Sequence, residues 1–360
     1  MGTRIVVVFG GDTPEHEVSL SSARAVLDNA GAIGWDVLPA GVTKSGRWLV
    51  GDGALERLWR QSDPDRLTRG ATPHDDMPGG GGDAEEFDGP PDAAVFDGFQ
   101  LGFPVSHGRW GEDGTLQGLL TAYGLTLVGC GAASSAVCFD KSLAKDVLSA
   151  AGLPTAKGVS VQRSRYMRSP HSAIKHLRDV VGAPPWFVKP VRGGSSLGIG
   201  RVDSEGDLAT ALREAFRWDS AALVEEAIPH RELVVGVVGD AGGSSLVVSP
   251  AGECVPVGDL YTYEEKVRLG NPLFACPAPI DQVTAAGARE LAVGAFTALG
   301  CSVFARVDLF LDERTGSLLV NEVNTIPGLT EVSVFPKVMG AAGWDYPKLL
   351  TELARLAADK

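Results

Sequence analysis

Cysteine is scarce and scattered: Cys130, Cys138, Cys254, Cys276 and Cys301 form no CxxC pair and no dense spacing. That argues against a disulfide-stapled secreted scaffold and favours a reducing cytoplasm. Positive charge is in deficit, with 32 Lys and Arg against 45 Asp and Glu for a formal charge of −13, so a nucleic-acid backbone is opposed everywhere except at a local basic cluster. Long apolar runs are missing. The apolar opening at residues 5–9 is too short for a signal core and runs into Gly10-Gly11, and no stretch approaches the roughly 20 residues of a membrane span. The 46 Gly and 22 Pro follow no three-residue period, which excludes a collagen-like fibre and assigns them to turns. The expectation is a soluble, cytoplasmic protein with neither nucleic acid nor membrane as partner. Its 360 residues, 44% hydrophobic and 21% charged, allow two or three domains, each with a core.

Ile5-Val6-Val7-Val8-Phe9 is a continuous apolar run closed by Gly10-Gly11, the pattern of a strand buried on both faces of a parallel sheet. Helical character follows at 19–27, a strand at 37–42, a turn at Lys44-Ser45-Gly46 and a strand at 48–50. Residues 66–91, with Gly79-Gly80-Gly81-Gly82 among Asp, Pro and Glu, carry no apolar period and read as a flexible surface insertion. Periodicity resumes at 93–96 and 101–105, then a helix at 115–123 and a strand at 126–128 complete an α/β first domain. A helix at 141–151, a strand at 186–190, a glycine loop, a helix at 207–216 and a strand at 223–226 form a small α+β unit. Strands at 232–238, 245–249, 303–311 and 317–323 with a helix at 281–299 form a third, mixed unit. The divisions fall at 1–135, 136–228 and 229–360.

The strongest chemical signal is a predicted hairpin, Arg306-Val307-Asp308-Leu309-Phe310-Leu311, a turn at 312–316, then Ser317 through to Glu322-Val323-Asn324. Side chains two apart share a face, so Arg306 and Asp308 point together, as do Glu322 and Asn324. Two carboxylates, an amide oxygen and a guanidinium on one face suit Mg²⁺ with open positions for phosphate and water, the competing reading being an exposed ion pair. Phe187-Val188-Lys189-Pro190-Val191-Arg192-Gly193-Gly194-Ser195-Ser196-Leu197-Gly198 delivers a lysine and then glycines and serines. Such a loop suits phosphate, although read alone it is as readily an ordinary turn. Leu223-Val224-Glu225-Glu226-Ala227-Ile228 ends a strand whose backbone offers adenine a donor and an acceptor, and the Glu232 carboxylate can take two ribose hydroxyls; alone, this is simply a strand end. Gly10-Gly11-Asp12-Thr13-Pro14-Glu15 lacks GxGxxG, which disfavours hydride transfer and favours a carboxylate aimed at a substrate ammonium. His107, in His107-Gly108-Arg109-Trp110-Gly111-Glu112-Asp113-Gly114, is equally a loop histidine or a substrate contact.

In this order the segments resemble the D-alanine–D-alanine ligases of the ATP-grasp superfamily, over most of the chain apart from residues 66–91 and 162–182. The resemblance implies a three-domain α/β and α+β ATP-grasp fold with an N-terminal Rossmann-like, preATP-grasp parallel-sheet domain. It implies ATP and two Mg²⁺, Mn²⁺ being an alternative, with Asp308, Glu322 and Asn324 as metal ligands. Lys141, Lys189 and Lys266 would contact phosphates together with Ser195 and Ser196. The backbone of Glu225, Glu226, Ala227 and Ile228 would hold adenine and Glu232 the ribose. Glu15 would bind the donor ammonium, His107 would lie beside the donor, and Ser195 would close the loop and orient substrates. Arg306, Gly328 and Ser333 would face the transferring group and the acceptor carboxylate. One position departs from the pattern. After Tyr261-Thr262-Tyr263-Glu264-Glu265-Lys266 the dipeptide ligases carry a tyrosine whose hydroxyl joins a network with the equivalents of Glu15 and Ser195, and here Val267 stands there.

The implied reaction joins D-alanine to a second D-alanine or a related D-amino or D-hydroxy acid, through an acyl phosphate, giving ADP and phosphate. Such an enzyme would serve cell-wall peptidoglycan synthesis, with a homodimer as its expected assembly. Loops at 193–200 and 261–276 would be lids that exclude water. An ATP-grasp ligase with another amino-acid donor, making a peptide metabolite, is the alternative. A nucleotide-binding regulator on an inactive ligase fold would have lost metal ligands or phosphate lysines, and all are present.

Overall fold

The computed structural model describes residues 2–62, 82–195, 197–240, 242, 246–255 and 274–360. The first of its three sheets contains β1 (Thr3–Gly10), β2 (Trp35–Val42), β3 (Trp48–Val50), β4 (Glu85–Phe87), β5 (Leu101–Pro104) and β6 (Thr126–Leu127), in the order β4-β3-β2-β1-β5-β6. The apolar run from Ile5 to Phe9 is fully buried, because side chains on both faces of β1 meet helices. Leu20, Ala23 and Val26 of helix His16–Ala30 cover one face; Leu116 and Leu120 of helix Thr115–Ala122 cover the other. Pairing is parallel from β2 through β6 but antiparallel at β2-β3 and β3-β4, so the expected parallel sheet carries an antiparallel edge.

That edge corrects part of the insertion reading. Residues 85–87 pair with β3, and Arg57 bonds the carbonyl of Ala84 and the carboxylate of Glu86, while residues 63–81 lie outside the described residues. Residues 93–96, where apolar periodicity resumes, form a 3₁₀ turn capped by Asp92.

The second sheet contains β7 (Gly158–Gln162), β8 (Trp186–Pro190), β9 (Gly200–Val202) and β10 (Ala221–Glu226), all antiparallel in the order β7-β10-β8-β9. Alternation divides it cleanly. Trp186, Val188, Ala222 and Val224 pack with Leu177, Leu208 and Leu212 of helices on one side, whereas Phe187, Lys189 and Glu225 line a cavity on the other. Residues 162–182, which lack a motif, form helices Arg163–Arg168 and Pro170–Val180 on the outer side.

The third sheet contains β11 (His230–Asp240), β12 (Val247–Val248), β13 (Gly252–Cys254), β14 (Phe274–Ala275), β15 (Ser302–Asp312) and β16 (Leu318–Asn324). β11 and β15 pair antiparallel along eleven residues each. Ala288, Ala292, Ala295 and Phe296 of helix Gln282–Ala298 cover one face, at about 1.5–3 kcal/mol for each large apolar side chain so buried. Helix Lys141–Ala150 packs Ala144 and Leu148 into that same core, and helix Tyr346–Ala358 packs into the core of the first sheet. These two crossings hold the sheets around the cavity.

Candidate active site

The predicted hairpin is β15-β16. Arg306 faces Asn324 and Asp308 faces Glu322, with a register shift immediately after Asp308. Arg306 Nε and Nη2 donate to the two oxygens of Asp308, both at 2.7 Å. Burial opposes the guanidinium charge, but Asp308 and then Glu322 hold the Arg306 pKa above its ordinary value. Asn324 Nδ2 donates to Asp308 at 3.0 Å, and Lys141 Nζ stands 3.5 Å from Glu322.

Among the described residues no three His, Cys, Asp or Glu are gathered as a metal site. The donor set fits Mg²⁺ all the same: two carboxylates and an amide are hard oxygen donors, and Mg²⁺ keeps positions for phosphate oxygens and water. Holding it requires Asn324 to turn its oxygen inward.

On the facing wall Lys189 is buried, and its ammonium forms an ion pair with Glu225. Lys145 Nζ joins the same carboxylate at 2.6 Å and also bonds the carbonyl of Ala156 at 2.7 Å. Burial alone would raise the Glu225 pKa; Lys189 and Lys145 overcome it and hold the carboxyl below the usual range. Lys141 begins the helix capped by Asp140 and donates to the carbonyl of Gly193 at 2.6 Å, tying it to the glycine loop. Glu226, Ile228 and Glu232 line the cavity. Ala227 does not, and its N–H donates to the carbonyl of Pro185 at 3.0 Å.

The remaining wall begins at the end of β1. Gly10, at φ +87, has no room for a Cβ, which would lie 2.2 Å from the carbonyl oxygen of Val42. The turn is fixed by Ser19 Oγ, which accepts from Gly10 N and donates to the carbonyl of Val105, both at 2.8 Å. This places Glu15 at the start of the first helix, where Ser195 Oγ donates to it. Ser195 holds φ +53, a left-handed conformation uncommon outside glycine. Gly108, at φ +77, lets the His107 loop approach, since a Cβ there would lie 2.4 Å from Thr13 Oγ1. His107 is buried with Nε2 3.3 Å from Ser22 Oγ, and burial lowers its pKa to about 4, so the imidazole is neutral. Gly328 and Ser333 line the cavity together.

Of the residues expected from sequence, Glu15, His107, Lys141, Lys189, Ser195, Glu225, Glu226, Ile228, Glu232, Arg306, Asp308, Glu322, Asn324, Gly328 and Ser333 share one cavity. Ser196, Lys266 and Val267, with residues 261–273 of the second expected lid, lie outside the described residues. Sequence reasoning missed three. Lys145 sits one turn beyond Lys141 on the same helix face. Glu112 receives the Gly108 N–H at 2.6 Å; burial and then Glu15 push its pKa up to about 8. His230 also lines the cavity.

Comparison with known proteins bears on the family of the whole chain. Residues 4–130 match the family model described as D-ala D-ala ligase N-terminus, and residues 147–355 that described as D-ala D-ala ligase C-terminus. The chain is 39% identical over 363 residues to a D-alanine–D-alanine ligase of Chlorobium luteolum, covering 99% of this chain and 97% of that one. A D-alanine–D-alanine ligase of Deinococcus radiodurans is 39% identical over 362 residues, covering 100% of both. Among solved structures, the VanG D-Ala:D-Ser ligase from Enterococcus faecalis superposes with a TM-score of 0.77 at 33% identity, covering 99% of this chain and 100% of that one. Fold and site define a ligase of the three-domain ATP-grasp class. The chain belongs to the D-alanine–D-alanine ligase family, whose members are ATP-dependent.

Proposed function

We propose that the cavity activates D-alanine as an acyl phosphate and transfers it to a second D-alanine or a related D-amino or D-hydroxy acid. One observation carries the reading: the Glu15–Ser195 pair, Lys141, the Lys189–Glu225 pair and the hairpin carboxylates line the same cavity. In this reading Glu15 takes the donor ammonium and neutral His107 packs beside the donor. Lys141 and Lys189, with Lys266, neutralise the phosphates, while the Glu226 and Ile228 segment and Glu232 hold the nucleoside. A carboxylate is a poor electrophile, so its oxygen attacks the γ-phosphorus of ATP, the bridging bond to the β-phosphate breaks and ADP leaves, giving the acyl phosphate while these cations offset the charge. The acceptor then attacks the carbonyl, Arg306 stabilises the tetrahedral oxyanion and phosphate leaves. Asp308, Glu322 and Asn324 would hold Mg²⁺, which when bound neutralises the triphosphate. Gly328 and Ser333 would flank the acceptor carboxylate.

The same proposal takes residues 1–135, 136–228 and 229–360 as the three domains and a cytoplasmic homodimer as the working form, on the sequence patterning, the cysteine usage and the resemblance. No helix among the described residues is long and apolar enough to cross a membrane. Likeness to a D-Ala:D-Ser ligase supports including D-serine beside D-alanine among the candidate acceptors. The test is phosphate release across a panel of D- and L-amino-acid donors and D-acid acceptors. ADP formation dependent on D-alanine supports the proposal; activity only with another donor establishes the peptide-metabolite alternative.

A further inference from the structure

His230 opens β11 and lines the cavity between Ile228 and Glu232, yet it has no part in the reading above. Its ring is fixed on two sides. Nδ1 lies 2.6 Å from the carbonyl oxygen of Ile228, and because a carbonyl only accepts, Nδ1 carries the hydrogen. The ring lies against Phe310, with centroids 3.8 Å apart and planes inclined by 41°; Phe310 faces Glu232 across β11-β15 and also lines the cavity. Nε2 is left 3.7 Å from Glu232 Oε1, too far for a hydrogen bond. In neutral imidazole with the hydrogen on Nδ1, Nε2 is an acceptor. In the neutral ring two acceptors therefore stand side by side, one aromatic nitrogen and one carboxylate oxygen.

We propose that His230 is a ribose-binding residue of this cavity, its Nε2 accepting one hydroxyl of the nucleotide's vicinal diol while Glu232 accepts the other. The inference rests on the nucleotide reading above and adds a second partner for the sugar. Two adjacent hydroxyls donate two hydrogens, and a lone carboxylate can take both only by using both its oxygens on one diol. A pair of acceptors on neighbouring positions of one strand divides the task. A consequence follows for pH. The charged groups bearing on His230 are Glu232 and Glu313; burial works against its charge, but Glu232 and then Glu313 favour the protonated ring. Protonation converts Nε2 from acceptor to donor and directs it at Glu232, which removes one acceptor from the diol and engages one oxygen of the other.

The test compares wild type, His230→Ala and His230→Gln with ATP, 2′-deoxy-ATP and 3′-deoxy-ATP between pH 5.5 and 8. In wild type KM for ATP should rise on acidification while KM for the amino-acid donor does not follow it. His230→Ala should raise KM for ATP about tenfold, roughly 1.4 kcal/mol, with kcat within twofold. It should also narrow the discrimination between ATP and one of the deoxy analogues. His230→Gln keeps an acceptor that does not titrate, so it should bind ATP better than His230→Ala and show a flat pH profile; it also serves if the alanine variant folds poorly. KM for ATP equal to wild type in both variants at every pH overturns the assignment. Failure of the nucleotide reading is separable: wild type would then not use ATP, or Glu232→Gln would leave KM for ATP unchanged.

Discussion

Arg306 and Asp308, two residues apart on β15, point to the same side and join in a bidentate ion pair with both arms at 2.7 Å. Both are largely shielded from solvent, so each fixes the other's charge and direction. The pair gives the cavity a guanidinium and a carboxylate held side by side in fixed orientation. Preorganisation of this kind spares the reorganisation that water would require.

Glu322 faces Asp308 on the partner strand and has Lys141 3.5 Å away. Glu322→Gln should abolish turnover while far-UV circular dichroism stays unchanged, since an amide of the same shape lacks the charge needed beside a triphosphate-bound cation. A fall in kcat of less than about tenfold, near 1.4 kcal/mol, would sink the metal-ligand role.

Lys189 shares the buried Glu225 carboxylate with Lys145. Lys189→Met should therefore lower ATP turnover by more than a hundredfold and also destabilise the fold by about 1–3 kcal/mol. That is less than a fully broken buried pair costs, because Lys145 remains. Adding Glu225→Gln should recover part of the stability without recovering activity, a non-additivity read from urea denaturation of both single variants and the double. Additive losses would show that Lys189 and Glu225 act separately.

Residues 5–9 and 306–324 were legible for one reason: their patterns have a single structural solution. A continuous β-branched run fits a strand covered on both faces, and Arg306, Asp308, Glu322 and Asn324 reach one face through a period of two. The helices at 163–180 were not legible, because only Tyr166, Ile174, Leu177 and Val181 touch the core and the rest of that stretch faces outward. The role of the Glu225 side chain was not legible either. Local sequence offers two adjacent glutamates and a strand end, and only the β8-β10 register turns Glu225 to the face that carries Lys189. His230 and Glu112 were hidden similarly, since contacts to Phe310 and to Glu15 are made by distant parts of the chain.

Glu112 has a folded pKa of about 8 against an ordinary value of 4.5, raised by burial and then by Glu15. The unfolded chain releases this proton at lower pH than the folded chain. The associated stability is therefore complete below the ordinary value and is lost as pH rises through about 8, by an amount on the order of a few kcal/mol at most. Without nucleotide or divalent cation, wild type should lose Tm between pH 5.5 and 8.5, whereas Glu112→Gln should lose less and be the more stable protein at the alkaline end. Parallel Tm curves for the two proteins would show that Glu112 titrates normally.

Val267 lies outside the described residues; the resemblance sets it where the family's dipeptide ligases carry a tyrosine whose hydroxyl would complete the network of the Glu15–Ser195 pair. Valine supplies no hydroxyl, so a polar site built to pair with one must repack or admit water. Recognition that depends on such pairing discriminates strongly between acceptors differing by a single polar group, and weakens when a partner is lost. With D-alanine as donor, D-lactate, D-serine or a related D-acid should therefore rival D-alanine as acceptor at neutral pH. Val267→Tyr should shift the ratio toward D-alanine. The measurement is kcat/KM across that panel for both proteins. A wild-type preference for D-alanine above about a hundredfold, roughly 2.7 kcal/mol, would mean that the substitution leaves acceptor choice untouched. The Glu15–Ser195 hydrogen bond would then suffice to hold the site closed without a third hydroxyl.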